Sequence, residues 1–499
     1  MKKVIIVGGG LGGLATAVRL LHKGYKVTVI EKEDKVGGKI NRFEKDGYKF
    51  DLTASILMTP KIYKDIFEYV NKDYKDYLDF KKLDVSYRVF YNDYTSYDFY
   101  SDMSKTTETI EKISKSSVNN YVKFIDKAFE KYTIAEKYFL KRNMDELKNF
   151  ISIKNLNPGI KLAPFSTSED FIKKYITNEK LLNYLLFQCM YVGVSPYNAS
   201  NIYSLVPAIT QIYGLEYLKG GMYSYIEALE KLINEMGGEV LTNKEVKEII
   251  IEKNKVKGIR TRKDEINCDI VVCNADFPYA VTNLIKKEKF KDGYTVEKVK
   301  KLKNSCGVFM LYLGTNKKYP GLNVHNIVIG NEFRHNIEAP FRGKMPGDAS
   351  LYIYCPSRID TSMSNNDGEV INVMMRVPNL IEGKSNWDGE FTSRIRRKLI
   401  NKLKELRGLE DIEEHIVVEE QLTPIDMEEF FNSYGGSAFG LSHTLSQTTY
   451  FRPHIKAKHV EGLYYAGESI HPGVGASIVL LGAEVVSGTI IKDNNRNPV

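Results

Sequence analysis

Tryptophan occurs once in this 499-residue chain, and cysteine, histidine and proline are sparse at five, eight and 15 residues. The cysteines, Cys189, Cys268, Cys273, Cys306 and Cys355, are odd in number and scattered, with no C-x-x-C pair. That spacing excludes a disulfide framework and a thiolate cluster, and leaves buried, reduced thiols in a cytoplasmic protein as the expectation. The histidines form no H-x-x-x-H pair and join no Cys/His ligand spacing, so no metal site is expected. Internal repeats and low-complexity tails are also missing. No Ser/His/Asp arrangement or carboxylate pair points to hydrolytic chemistry.

Long uninterrupted apolar runs are lacking too. Met1-Lys2-Lys3 followed by apolar residues has the outline of a secretory leader, but five glycines between Gly8 and Leu14 do not suit its helical apolar segment. Val474 to Ile491 is nearly long enough to span a bilayer. Glu484 at its centre and Gly475, Gly482 and Gly488 instead predict a helix buried in a protein core. Charge of neither sign dominates: 71 Lys and Arg face 63 Asp and Glu, a net +8. This balance permits attraction to an anionic surface without demanding it. The densest basic stretch, Lys286 to Lys303, carries eight lysines mixed with Glu288, Asp292 and Glu297 and reads as a solvated face. No base-stacking motif accompanies it, so nucleic acid is not expected as a partner.

What is present begins at residue 4. Val4-Ile5-Ile6-Val7 is an apolar strand, Gly8, Gly10 and Gly13 make G-x-G-x-x-G, Leu14, Ala17, Val18 and Leu21 recur at helical spacing, and Val27-Thr28-Val29-Ile30-Glu31 is a second strand. This order reads as a dinucleotide cradle. Gly8 permits the tight turn, Gly10 lets a pyrophosphate approach the backbone, and Gly13 lets helix and strand pack closely. The helix N-terminus offers free N–H groups to phosphate, and Glu31, about 20 residues on, offers a carboxylate to a ribose diol. A second pair, Gly37-Gly38, followed by Lys39, adds backbone donors and a positive charge and points to FAD rather than NAD.

Further along, Ser55 to Tyr69 predicts a helix with Pro60 near its start, and Tyr87 to Phe90 with Tyr97 to Tyr100 predicts a hairpin of a second domain. Glu108 to Asn149 and Ser168 to Met190 have helical spacing and are expected to cover a substrate cavity. Lys219-Gly220-Gly221-Met222 opens a helix and is a candidate second approach of backbone to flavin. Glu239 to Leu241, Glu245 to Glu252 and Lys255 to Arg262 are expected to form a β-meander leading to the buried strand Ile270 to Ala275. Near the end, Tyr464-Tyr465-Ala466-Gly467-Glu468 precedes His471-Pro472-Gly473-Val474-Gly475 and a long apolar helix. A carboxylate and a glycine-rich helix start there suit a ribityl chain and the charge of a reduced flavin.

Three separated pieces, Gly8 to Lys39, Lys219 to Met222 and Tyr465 to Gly475, together resemble the bacterial-type carotenoid desaturase family of the FAD-dependent amine oxidase superfamily, especially its 4,4′-diapophytoene members. Gly436-Ser437-Ala438-Phe439-Gly440-Leu441, His325-Asn326 and Phe333-Arg334 agree in kind, so the resemblance covers essentially the whole length. Three positions depart from the family pattern: Lys39 stands where Arg is usual, Glu468 where a small residue commonly follows Ala-Gly, and Ile470 where a small residue precedes His471.

The resemblance implies an α/β fold, with a Rossmann-like FAD-binding domain of the GR2 flavoprotein type from residues 1–82, 218–285 and 441–499. Residues 83–217 and 286–440 would form a discontinuous mixed-sheet and helical substrate domain. The expected cofactor-binding residues are Gly8, Gly10, Gly12, Gly13, Glu31, Lys32, Gly37, Gly38, Lys39, Gly220, Gly221, Met222, Val246, Gly467, Glu468, Gly473, Val474 and Gly475. No catalytic base is identifiable, with His471 and Glu468 as candidates by position. The implied partners are a long apolar polyene, either 4,4′-diapophytoene or phytoene, and a membrane surface to which a cytoplasmic enzyme binds peripherally. Other readings left open are a carotenoid oxygenase or isomerase, an amine oxidase, and a non-catalytic prenyl-lipid escort protein. The sequence leaves the oligomeric state open.

Overall fold

A computed structural model describes residues 1–150, 153–162, 164–365 and 367–495. Its first sheet has five parallel strands in the order Glu239–Leu241, Lys26–Ile30, Lys3–Val7, Ile270–Cys273 and Leu463–Tyr465. Lys3–Val7 lies at the centre, and the chain leaves it to opposite sides, which opens a crevice at the carboxyl ends of the strands. Val4 to Val7 are buried because helices cover the sheet. Leu11–His22 packs against both Tyr223–Glu235 and Ala476–Asn495.

The helix at the C-terminal end is the one whose sequence approached membrane length. Glu484 at its centre keeps 45% of its side chain exposed and meets Arg19 at 3.4 Å, so the helix lies on the core without burying a lone charge. Among the described residues no helix is long and apolar enough to cross a membrane.

The second large sheet has seven mixed strands: Ile416–Leu422, Gly307–Thr315, Glu369–Val377, Leu351–Tyr354, His325–Val328, Val85–Phe90 and Ser96–Tyr100. Every residue of Gly307–Thr315 is buried. Its alternation explains why: Phe309, Leu311 and Leu313 pack with Ile395, Leu399 and Leu403 of the helix Gly389–Lys404, while Val308, Met310 and Tyr312 pack with Tyr48 and Phe50. On the hairpin end of this sheet, Tyr87, Val89 and Phe99 carry the helices Val118–Ala135 and Glu179–Cys189 through Phe124, Leu185 and Phe187.

Two local expectations are corrected. Ser55 to Tyr69 is not one helix: Leu57–Met58 pairs with Leu215 and Glu216, and the helix starts only at Pro60. Thr59 at φ +52° breaks the chain direction, and proline at the first helical position favours a start there. Glu239–Leu241 is not part of the meander, which consists of Val246–Glu252, Lys255–Thr261 and Glu265–Asn267. It is the edge strand of the parallel sheet beside Lys26–Ile30. A three-residue strand carries too little alternation to declare its neighbour.

Candidate functional site

A cavity of about 450 Å³ begins at the carboxyl ends of the parallel strands and runs beneath the helices to the second sheet. Its polar end includes Gly8, Gly10, Gly12, Glu31, Lys32, Gly37, Gly38 and Val246. Lys39, Gly467, Glu468, Val474 and Gly475 line its middle, and Tyr191, Val206, Ile209, Tyr352, Met374 and Arg376 its apolar end.

The cradle is built by residues that cannot carry side chains. Gly8 adopts φ +96°. A Cβ on Gly10 would lie 2.9 Å from Asn274 Nδ2, and one on Gly12 2.7 Å from Asn274 Oδ1. A Cβ on Gly13 would lie 2.5 Å from Gly8 O, so Gly13 supports the wall from behind. Gly10 is the N-cap of Leu11–His22 and supplies no side-chain cap, and the first turn holds no acidic residue. The N–H groups at that terminus are therefore available to an anion. Glu31 is buried at the cavity edge, its Oε2 accepting from Gly9 N at 2.7 Å and its Oε1 from Glu33 N at 3.0 Å. Lys32 Nζ donates to Glu429 O at 2.7 Å and ties the polar end to the helix Pro424–Phe431.

Asn274 is the residue that sequence reading passed over. Its Nδ2 donates to Gly8 O at 3.3 Å, and its buried Oδ1 has no hydrogen-bond partner among the described residues. The only signal was its place at the end of the buried strand Ile270–Cys273, next to the crevice. Arg452 was also passed over. Its fully buried guanidinium donates to the carbonyls of Leu441, Gln447, Glu468 and Ile470, which holds the segment after Gly467 against the cavity. Burial pushes its pKa down to about 10, so the charge persists at neutral pH.

Several predicted residues sit elsewhere. Gly220, Gly221 and Met222 do not line the cavity. Gly221 at φ +82° faces Asp51, whose carboxylate accepts from the N–H groups of Met222 and Tyr223 and from the Tyr354 hydroxyl. Burial raises the Asp51 pKa to about 6. This glycine pair therefore joins the two sheets around a buried acid. Gly473 stands behind the wall, its α-carbon against the His443 ring. The neutral His443, its pKa pushed well down by burial, accepts from Val474 N at 3.2 Å.

The two candidate bases separate. His471 is buried outside the cavity lining, and its Nε2 donates toward the carbonyls of Phe139 and Arg142 at 3.1 Å each. Burial lowers its pKa to about 4 and keeps it neutral, so it is a brace for the helical cap and not a base facing the cavity. Glu468 does line the cavity. Its Oε1 accepts from Lys39 Nζ at 2.5 Å, and the same ammonium donates to the carbonyls of Ser437 and Ala438. Lys39, expected to serve a diphosphate, is thus held by a carboxylate and two carbonyls, while burial raises the Glu468 pKa despite the lysine.

The cavity fits FAD on three counts: a side-chain-free wall, an uncapped helix N-terminus and an orphaned buried amide oxygen beside it. Comparisons with known proteins agree. Residues 11–479 match the family model described as flavin containing amine oxidoreductase. The 4,4′-diapophytoene desaturase (4,4′-diaponeurosporene-forming) of Staphylococcus haemolyticus strain JCSC1435 is 37% identical over 494 residues, 98% of this chain and 99% of that one. The protein of the same description from Staphylococcus aureus strain Newman is 34% identical over 499 residues, 99% of each. Among solved structures, an oxidoreductase from Methanosarcina mazei superposes with a TM-score of 0.64 at 16% identity, over 98% of this chain and 100% of that one. Family model and relatives span nearly the whole length, and the chain belongs to the carotenoid desaturase group of the flavin containing amine oxidoreductases, as an FAD-dependent oxidoreductase.

Proposed function

We propose that this chain desaturates 4,4′-diapophytoene, a colourless C30 polyene, in the formation of a coloured carotenoid. The observation that carries this reading is the continuity of one cavity from the glycine cradle to an apolar end lined by Val206, Ile209, Tyr352 and Met374. An allylic C–H of a hydrocarbon is not acidic enough for a side chain to begin the reaction. FAD, when bound, supplies a two-electron acceptor for hydride. Gly8, Gly10, Gly12 and the N-terminus of Leu11–His22 would hold its diphosphate, with Glu31 toward the ribose and Val246 toward the base. Gly467, Val474 and Gly475 would hold the flavin end. The remaining work of the chain is to hold an apolar molecule straight, exclude water, and accept a proton from the carbon next to the oxidised one. Glu468 is the candidate acceptor: it lines the cavity, and burial raises its affinity for a proton.

Expression in a host that makes 4,4′-diapophytoene is expected to give yellow pigment whose mass falls by two hydrogens for each new double bond, with less turnover in a phytoene-producing host. Products that gain oxygen, or change geometry at constant mass, would instead favour an oxygenase or isomerase.

The substrate dissolves in lipid, and the surface beside the cavity suits a membrane. Ala135 and Leu140 line the cavity, and the segment that follows exposes Leu147, Ile160 and Phe165, the last at 87%. Phe451, 56% exposed, stacks edge-on with Phe150 nearby. Lys141, Lys148 and Lys161 belong to the same segment and suit an anionic surface. Flotation with anionic vesicles is expected to carry wild-type protein upward, and Phe165→Ser combined with Phe451→Ser is expected to leave it at the bottom of the gradient. Equal flotation of the two proteins would remove this surface as the docking site.

A further inference from the structure

Arg376 stands in the strand Glu369–Val377 opposite Val308, only 6% exposed, and lines the apolar end of the cavity. Its guanidinium has no ion pair and no hydrogen bond among the described residues, and Nε is fully enclosed without a partner. Among the described residues its cation–π partner is the Phe187 ring, whose centroid lies 5.0 Å from Cζ. Tyr191, Tyr352, Met374 and Phe439 line the same end of the cavity.

Such a residue is unexpected in a tunnel that serves only a hydrocarbon. Guanidinium stays charged inside proteins, and an unpaired buried charge costs more than one cation–π contact returns. A hydrocarbon entering the tunnel offers the guanidinium no hydrogen-bond acceptor and leaves that cost in place. A carboxylate would lower it, because its two oxygens match the fork of N–H donors.

We infer that Arg376 is the head-group site of a second mode of ligand binding, in which the tunnel takes a long apolar chain that ends in a carboxylate. The chain occupies the path of the hydrocarbon, and the carboxylate meets the guanidinium at the end of the tunnel. Such a ligand competes with the hydrocarbon for the tunnel and offers the enzyme an acidic polyene or a fatty acid as alternative occupant. The inference rests on this cavity being the ligand site of the chain and not on desaturation itself.

Binding is measured without turnover, on flavin-loaded protein, with oleate and oleyl alcohol as probes of equal chain length below their micelle concentrations. Wild type is expected to bind oleate about tenfold or more tightly over the alcohol, as one charge-assisted bidentate contact warrants. Arg376→Met is expected to bind both alike, and Arg376→Lys to keep part of the preference, which shows that lost discrimination is not lost folding. No preference in wild type, or the same preference in Arg376→Met, overturns the inference. So does a variant that merely loses flavin while its apoprotein still discriminates, since Arg376 then serves the cofactor. Failure of the pigment experiment with a preserved oleate preference would count against the desaturation reading alone.

Discussion

Gly13→Ala is expected to yield a folded protein that has lost most of its flavin and melts below wild type. The new Cβ would sit 2.5 Å from Gly8 O and 2.9 Å from Ile6 Cγ2, both parts of the strand and turn that form the cradle. Neither is the free end of a flexible side chain, so the helix Leu11–His22 must move off the sheet, taking its contacts with Ala476–Asn495 along. Overpacking of this kind costs about 1–3 kcal/mol. Alanine in a helix interior returns up to about 1 kcal/mol over glycine, so the clash decides the sign. Gly488→Ala tests that balance, because a Cβ there meets nothing within 4 Å in the helix Ala476–Asn495. It is expected to raise the melting temperature slightly and leave flavin content unchanged. Absorbance of bound flavin per mole of purified protein, with thermal melts, reads both variants. A Gly13→Ala protein with full flavin and a higher melting temperature would mean that close packing under the turn is not what shapes the cradle.

Lys39→Met has the second large expected effect, and its signature is a pH dependence. Lys39 and Glu468 keep only 19% and 20% of their side chains exposed. Removing the ammonium leaves a carboxylate without its ion and takes a donor from the carbonyls of Ser437 and Ala438. Losing one partner of a pair this enclosed costs about 3 kcal/mol at neutral pH. Burial already raises the Glu468 pKa in the folded protein, and the lysine lowers it again in part. A carboxyl whose folded pKa lies above its unfolded value loses stability as pH rises through that interval. Without Lys39 the folded pKa climbs further, so the variant loses more. The stability gap between wild type and Lys39→Met is therefore expected to be largest at neutral and alkaline pH. It narrows as pH falls through the window above the ordinary carboxylate range, where Glu468 takes up its proton. Denaturant melts at a series of pH values measure this, and a gap independent of pH would show that Glu468 is not the group left unpaired. Loss of flavin in the same variant would place the Lys39–Glu468 pair among the groups that hold the cofactor.

The residues that sequence reading located share a property: their roles follow from neighbours close along the chain. Gly8 and Gly37 need φ values of +96° and +131°, and strand, turn and helix follow one another within a few residues. The pattern of buried strand, glycine turn and amphipathic helix records such local demands directly. Short or ambiguous elements were less legible. Glu239–Leu241 looked like a meander strand because three residues cannot say which sheet they join, and His471 looked like a base because its position in a motif says nothing about which way its ring points.

Taken alone, the sequence determined the oxidant class, the glycine cradle that receives it and the two strands that flank that cradle, since each is written in the backbone demands and side-chain periods of neighbouring residues. Tertiary structure decided the rest. Lys39 and Glu468 are 429 residues apart and become a pair only when the first and last strands of the chain enter one sheet. Asn274 becomes the floor of the cradle through the parallel pairing of Ile270–Cys273 with Lys3–Val7. Gly221 meets Asp51 instead of the cavity, and Arg376 lines the apolar end of the cavity without an anionic partner among the described residues. Contacts between distant segments depend on which elements come to lie side by side, and no local spacing in the chain carries that information.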